Sequence, residues 1–291
     1  MSAKFRKSLV QAALKSPGGT KTIDDRRDVA ERLARFCERN NIQCRDVGHV
    51  KEKHLKAYIE HRKATAGART LQTEMAHIRR ILESAGRHQL ASSPRLSNEA
   101  LGISNVSRIG TRKACPQALY EQAVIAANER DKAVAACMAL QRTFGLRAEE
   151  AVQAGKSLGD WQKALDRGAN RLPVIYGTKG GKLREVYVVD TEKAKAVVAQ
   201  AIEAKNGRNM IDKPTIAQAM AYYHREAATA GLAGEHSPHS LRYAYAQECY
   251  RNCIKQGMSE ENALAFTSLS LGHGDGRGRW LKSVYLRDLE Q

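Results

Sequence analysis

The sequence predicts a mainly α fold with one small β-hairpin, divided into an N-terminal helical domain and a C-terminal α+β domain. Three observations predict it. Apolar residues recur at helical spacing through most of the chain. One stretch alone, 171–189, carries two β-rich runs around a Gly-Gly turn. Residues 88–114 are poor in bulky apolar side chains and rich in Ser, Asn and Arg, which marks a connection between two bodies.

The elements follow in order. Residues 1–20 are polar, basic and Gly-containing and read as a flexible basic N-terminus. Over 22–40, Ile23, Val29, Leu33, Phe36 and Cys37 form one stripe of a helix, with Arg26, Arg27, Arg32 and Arg35 around it. A second helix covers 50–64, with Val50, Leu55, Tyr58 and Ile59 inward. A third starts at Thr70, repeats Leu71, Met75, Ile78 and Leu82, and ends at Gly86. Its Arg69, Gln72, Arg79 and Arg80 project elsewhere and are candidates for contact with a polyanion. The domain spans 21–100 and the linker 101–114. The second domain, 115–291, opens with helices at 116–129 and 131–144. The hairpin pairs 171–176 with 183–189. Helices resume at 191–205, 214–230, 239–256 and 259–269; a Gly-rich loop, 272–278, and a short last helix with Tyr285 follow.

The chain has 291 residues, enough for two cores, and a formal net charge of +17. Such an excess attracts polyanions, and nucleic acid is the commonest in a cell. A membrane surface would require a basic amphipathic helix with bulky anchors. With aromatics at 5%, no such helix and no apolar run of spanning length is evident. The N-terminus lacks the apolar core and cleavage site of a signal peptide. None of the six cysteines forms a CxxC pair, and Cys249 and Cys253 read as small buried residues on one helix face. These features predict a cytoplasmic protein with reduced thiols and no cofactor or metal.

Several residues can do chemistry, and each has a bland alternative. Arg147 and Glu150 lie three apart near a helix start; alone they read as a structural salt bridge. His239 and Arg242 are also three apart, after Pro238, where a helix begins. Lys179 and Lys182 flank the hairpin tip, where a lysine is ordinarily just solvated. His273 follows Leu271-Gly272, and a lone histidine is more often structural. Tyr285 is one of ten tyrosines.

The order of these residues carries more than any one of them. Arg147-x-x-Glu150, then a hairpin lysine, then His239-x-x-Arg242, then Leu271-Gly272-His273, then Tyr285 resembles the tyrosine recombinase (phage integrase) family. The resemblance covers about 115–291 by motif, and the helical region at about 20–90 looks like that family's SAM-like core-binding domain. It implies a C-terminal tyrosine recombinase catalytic domain in which Arg147 and Arg242 bind the scissile phosphate and Glu150 orients the set. Lys179 would protonate the leaving 5′ oxygen, with Lys182 as the rival lysine. His239 and His273 would assist proton transfer. Tyr285 would form a 3′-phosphotyrosine bond, leaving no need for metal or ATP. Tyr243, Tyr245 and Tyr250 are rival tyrosines by proximity, though their place before Leu-Gly-His does not suit the nucleophile.

The implied partners are duplex DNA held in a two-domain clamp, three further copies in a homo-tetramer on two DNA sites with a Holliday junction, and accessory DNA-bending proteins. The implied role is integration or excision of a phage or mobile element. This chain departs in its twelve-residue interval from His273 to Tyr285, longer than is usual in the family. The Gly-rich stretch supplies the excess, and its Arg277 and Arg279 are further candidates for DNA contact. Six residues follow Tyr285, so the helix that many members donate to a neighbour is expected to be short or absent. Other readings are a topoisomerase-like or hairpin-forming relative, a catalytically silent DNA-binding protein on the same fold, and an RNA-binding protein. The last lacks an RNP-like aromatic motif.

Overall fold

The computed structural model describes residues 3–104, 106–107, 112–274, 276 and 278–289. The chain divides into two compact units, Met1–Arg108 and Ile109–Gln291.

The N-terminal unit is helical. Helix α1 (Ala3–Lys15) stands where a mobile segment was expected. Phe5, Leu9, Ala12 and Ala13 fall on one stripe and are buried, and that burial outweighs the repulsion among Lys4, Arg6 and Lys7. Helix α2 (Thr20–Arg39) packs Val29, Ala30, Leu33, Phe36 and Cys37 inward. Its Arg26 is also buried and donates to Ser16 Oγ and to Pro17 O, tying down the turn after α1. Helix α3 (Glu52–Lys63) contributes Leu55, Tyr58 and Ile59. Helix α4 (Ala68–Ser84) begins two residues before Thr70, behind Gly67, and contributes Leu71, Met75, Ile78 and Leu82 as expected. Buried Glu74 on α4 accepts from Tyr58 Oη at 2.8 Å and from Arg62 Nη2 at 2.7 Å. These bonds make up for the hydration the carboxylate loses.

The unit extends past residue 100. Helix α5 (His88–Ala91) and a 3₁₀ turn (Pro94–Leu96) follow α4, and Leu96, Leu101 and Ile103 are buried in the same core. Arg79 and Gln72 hold this segment. Arg79 Nη2 donates to Leu96 O at 2.8 Å and Asn98 Oδ1 at 2.9 Å; Gln72 Nε2 donates to Ile103 O at 2.6 Å. Both side chains, half-buried, therefore tie this segment to α4.

The C-terminal unit is built on α7 (Lys132–Phe144), preceded by α6 (Gln117–Arg130). Asp131 caps α7 by accepting from the Ala133 and Val134 amides, and Gly145, at φ 58°, ends it. Helix α8 (Ala148–Gln153) follows, then α9 (Leu158–Asp166), which the sequence reading omitted. Trp161 anchors α9: it is 1% exposed and its indole donates to Pro173 O at 2.8 Å.

Strands β1 (Arg171–Val174) and β2 (Arg184–Tyr187) pair antiparallel, Arg171 opposite Tyr187 and Val174 opposite Arg184. They form the one sheet among the described residues. Helices α10 (Thr191–Ala204), α11 (Ile216–Thr229), α12 (His239–Lys255), α13 (Glu260–Ser270) and α14 (Gly278–Val284) complete the unit. One apolar cluster surrounds α7. A second joins Tyr243, Tyr245, Cys249 and Cys253 of α12 to Leu271, Leu281, Val284, Tyr285 and Leu286. All six cysteines are buried and unpaired with one another. Among the described residues no helix is long and apolar enough to cross a membrane.

Candidate active site

The site is organised around one buried carboxylate. Glu150 lies in the first turn of α8, where its Oε2 accepts the Arg147 backbone amide at 2.7 Å and its Oε1 accepts Arg147 Nη1 at 2.6 Å. The spacing that suggested a shared face thus places both groups together. Arg184 approaches from β2, donating from Nη2 to Glu150 Oε2 at 2.7 Å and from Nε to Oε1 at 3.2 Å. Arg242, in the first turn of α12, lies 3.9 Å from the same carboxylate. Burial alone would raise the Glu150 pKa; the Arg184 hydrogen bonds and charge, then Arg242 and the Arg147 amide, hold it at about 2.

Arg242 has no exposed surface, and its two terminal nitrogens donate to Gly145 O and Leu271 O. Burial lowers its pKa to about 10, so it remains charged at neutral pH. Arg147 keeps a quarter of its side chain exposed and opens into a cleft of about 960 Å³. Lys179, Lys182, Arg184, His273 and Trp280 also line this cleft. Glu150 therefore holds three guanidinium groups that would otherwise repel one another, leaving a net positive site suited to a phosphodiester.

Tyr285, the first residue beyond α14, sits in an aromatic nest and is 3% exposed. Its ring stacks on Tyr243 at 4.2 Å between centroids. His273 lies 5.6 Å away, Trp280 5.5 Å and His239 6.3 Å. Tyr243, the ring on which Tyr285 stacks, is the residue after Arg242 on α12. Burial, then the charges of Arg242, Arg112 and Arg147, push the His239 pKa down to about 4. Its imidazole is therefore neutral at physiological pH.

Of the rival tyrosines, Tyr245 is committed to other partners. Tyr245 donates to Tyr187 O at 2.8 Å and lies 2.6 Å from Ser270 Oγ. Burial raises Tyr243 to about 12.

The structure thus gathers Arg147, Glu150, His239, Arg242, His273 and Tyr285. Lys179 and Lys182 stand at the cleft in the exposed turn Lys179–Gly181 and just after it. Of the remaining candidates, Arg69, Arg80 and Arg279 are exposed, and Arg80 pairs with Glu83 at 2.8 Å. Arg277 lies outside the described residues. Sequence reading missed Arg184 and Arg112. The only signal for Arg184 was its place on the inward side of the β2 alternation, in phase with Val186.

The fold is that of an integrase-type α+β domain preceded by a helical N-terminal domain. The family described as "Integrase" matches residues 102–248, and the one described as "Phage integrase, N-terminal" matches residues 1–91. The chain belongs to the phage integrase family. The first match takes in Arg147, Glu150, Lys179, His239 and Arg242 and ends before His273 and Tyr285.

Solved structures share the fold at low identity. A lambda integrase dimer bound to a COC′ core site has a TM-score of 0.62 at 16% identity, covering 94% of this chain and 75% of that one. The XerH site-specific recombinase bound to palindromic difH substrate, a post-cleavage complex, has 0.58 at 13%, covering 93% and 77%. The Tn1549 transposon integrase with circular intermediate DNA has 0.56 at 13%, covering 98% and 99%. No curated protein matches the chain by sequence.

Proposed function

We propose that this chain is a site-specific tyrosine recombinase that cuts and rejoins duplex DNA through a 3′-phosphotyrosine, integrating or excising a phage or mobile element. The observation that carries the reading is the packing of Tyr285 against His273 and against Tyr243 and His239 of the helix that also carries Arg242, with Arg242 and Arg147 both paired to Glu150.

The residues divide the chemistry among them. Arg147 and Arg242 bind the non-bridging oxygens and stabilise charge that grows as phosphorus becomes five-coordinate. The Tyr285 oxygen attacks phosphorus as its proton passes to neutral His239 or to His273. The bond to the 5′ oxygen breaks, and Lys179 protonates that oxygen. One P–O bond is exchanged for another, so attack by a 5′ hydroxyl reverses the step without an energy source. The net charge of +17 supports tight, salt-sensitive association with DNA.

Strand exchange by this chemistry involves four copies on two sites, which the reading adopts for this chain together with accessory DNA-bending proteins. The lambda integrase tetramer bound to a Holliday junction is a solved example on this fold.

The test is to incubate wild type and Tyr285→Phe, in EDTA, with DNA from the ends of the encoding element and to stop with SDS. An adduct with wild type alone is expected. An adduct with both moves the nucleophile to another tyrosine. Binding without an adduct in either makes the chain a silent DNA-binding protein.

A further inference from the structure

Arg184 has no role in the reaction sequence above, yet it is among the most committed side chains in the unit. It is 9% exposed and lies on β2, the strand that leaves the lysine-bearing turn. Its guanidinium reaches three other segments. It binds both oxygens of Glu150 on α8, at 3.2 and 2.7 Å. It donates to Gly145 O at the end of α7, at 3.3 Å, and to Ser270 O at the end of α13. Arg242 donates to the same Gly145 carbonyl and to Leu271 O, the next carbonyl after Ser270. The two arginines therefore brace the same pair of chain turns beside one carboxylate.

The backbone makes room for this contact. Gly272, immediately before His273, adopts φ +66°, and a β-carbon there would overlap Arg184 Cδ. The His273 turn is thus shaped around the Arg184 stem, independently of the ion pair at its tip.

Charge explains why the arrangement matters. Glu150 is 1% exposed and requires cationic partners. While Arg184 occupies both oxygens, Arg242 stays in a longer ion pair at 3.9 Å and gives its terminal N–H groups to the Gly145 and Leu271 carbonyls. Without Arg184, the nearest cations left for the carboxylate are Arg242 and Arg147, the two groups that would bind the phosphate.

We infer that Arg184 is a positioning residue: it takes both oxygens of Glu150 so that Arg242 keeps its place on the Gly145 and Leu271 carbonyls and is not drawn into a tight pair with the carboxylate, and it fixes the lysine turn to the His273 turn. This rests on the recombinase reading given above.

The inference makes a prediction that simple structural support does not. In Arg184→Met, the harm comes from an unsatisfied carboxylate that captures Arg242. Neutralising that carboxylate should then restore activity, although it removes a second native group. The experiment is single-turnover adduct formation on the element-end DNA by wild type, Arg184→Met, Glu150→Gln and the double variant. DNA binding is measured by mobility shift, and folding by thermal melting.

Arg184→Met should react about 100-fold more slowly while binding DNA within about threefold of wild type. The double variant should react about tenfold faster than Arg184→Met. Arg184→Lys, which keeps the charge, should lie between wild type and Arg184→Met. Wild-type-like reaction by Arg184→Met, or a double variant no faster than Arg184→Met, overturns the inference. If Arg184→Met does not fold, Arg184→Lys and Arg184→Lys/Glu150→Gln decide the matter by the same comparison. Failure of wild type itself to form an adduct sinks the recombinase reading, and this inference with it. An active wild type with an indifferent Arg184 variant sinks this inference alone.

Discussion

The rings of Tyr243 and Tyr285 stack with centroids 4.2 Å apart and planes 30° from parallel. Tyr243 stands on α12 one residue after Arg242 and one turn after His239. The helix that supplies those two groups thus also supplies the surface on which the Tyr285 ring lies. Tyr243→Phe keeps that surface and should form the adduct within about threefold of wild type. Tyr243→Ala removes it and should slow single-turnover adduct formation about tenfold or more. Loss of the adduct in Tyr243→Phe would shift the nucleophile to Tyr243.

Glu150 concentrates the stability of the site. Glu150→Ala leaves Arg184 and Arg242 buried without their counter-charge and should cost about 3–5 kcal/mol in chemical denaturation. Glu150→Gln keeps part of the hydrogen bonding and should cost less. An Ala variant as stable as wild type would mean that the surrounding carbonyls suffice for both guanidinium groups.

The His239 pKa of about 4, against an ordinary 6.5, sets a pH window. The folded protein holds the neutral ring. Its contribution is complete above pH 6.5 and is lost as pH falls toward 4, where the unfolded chain takes up a proton that the folded chain refuses. Urea denaturation should show wild type losing more stability between pH 7 and 4.5 than His239→Gln, by on the order of 2 kcal/mol. Glu150 titrates lower, between 4.5 and about 2, and leaves this window clear. Equal losses in the two proteins would remove His239 as the cause.

The two lysines of the cleft can be told apart by the leaving group. Lys179→Ala should slow cleavage about 100-fold or more. A substrate with sulfur in place of the 5′ bridging oxygen needs no proton to leave and should restore the rate. Lys182→Ala should weaken binding and show no such rescue. The opposite pattern would make Lys182 the proton donor.

Gly272→Ala places a methyl group against Arg184 and strains a positive-φ turn. Melting should fall by several degrees, with slower adduct formation. A variant that melts and reacts like wild type would show that the Arg184 stem yields.

The legible parts of the sequence were those governed by a single period or a single face. Helices α2, α4, α7 and α12 carry long apolar repeats, and the Arg147–Glu150 and His239–Arg242 pairs follow from helical spacing alone. Helix α1 was hidden because its basic residues obscure the stripe from Phe5 to Ala13. Helix α9 is short, and its anchor, Trp161, acts through a hydrogen bond to a distant strand. Gln72 and Arg79 have the spacing of outward groups, but segment 94–104 folds back over them. Arg184 was least visible, since a strand arginine ordinarily faces water and its partners come from α7, α8 and α13.

Leu281, Val284 and Leu286 pack in the same cluster as Tyr243 and Tyr245, and the Tyr285 amide donates to Leu281 O at 2.8 Å. Tyr285 therefore belongs to the protein's interior and is no loose appendage. Withdrawing it would uncover that cluster, which ties exposure of the phenol to local unfolding. Deuterium uptake at the Tyr285 and Leu286 amides thereby becomes a clock for that opening, in step with the amides of α12 that face the same cluster.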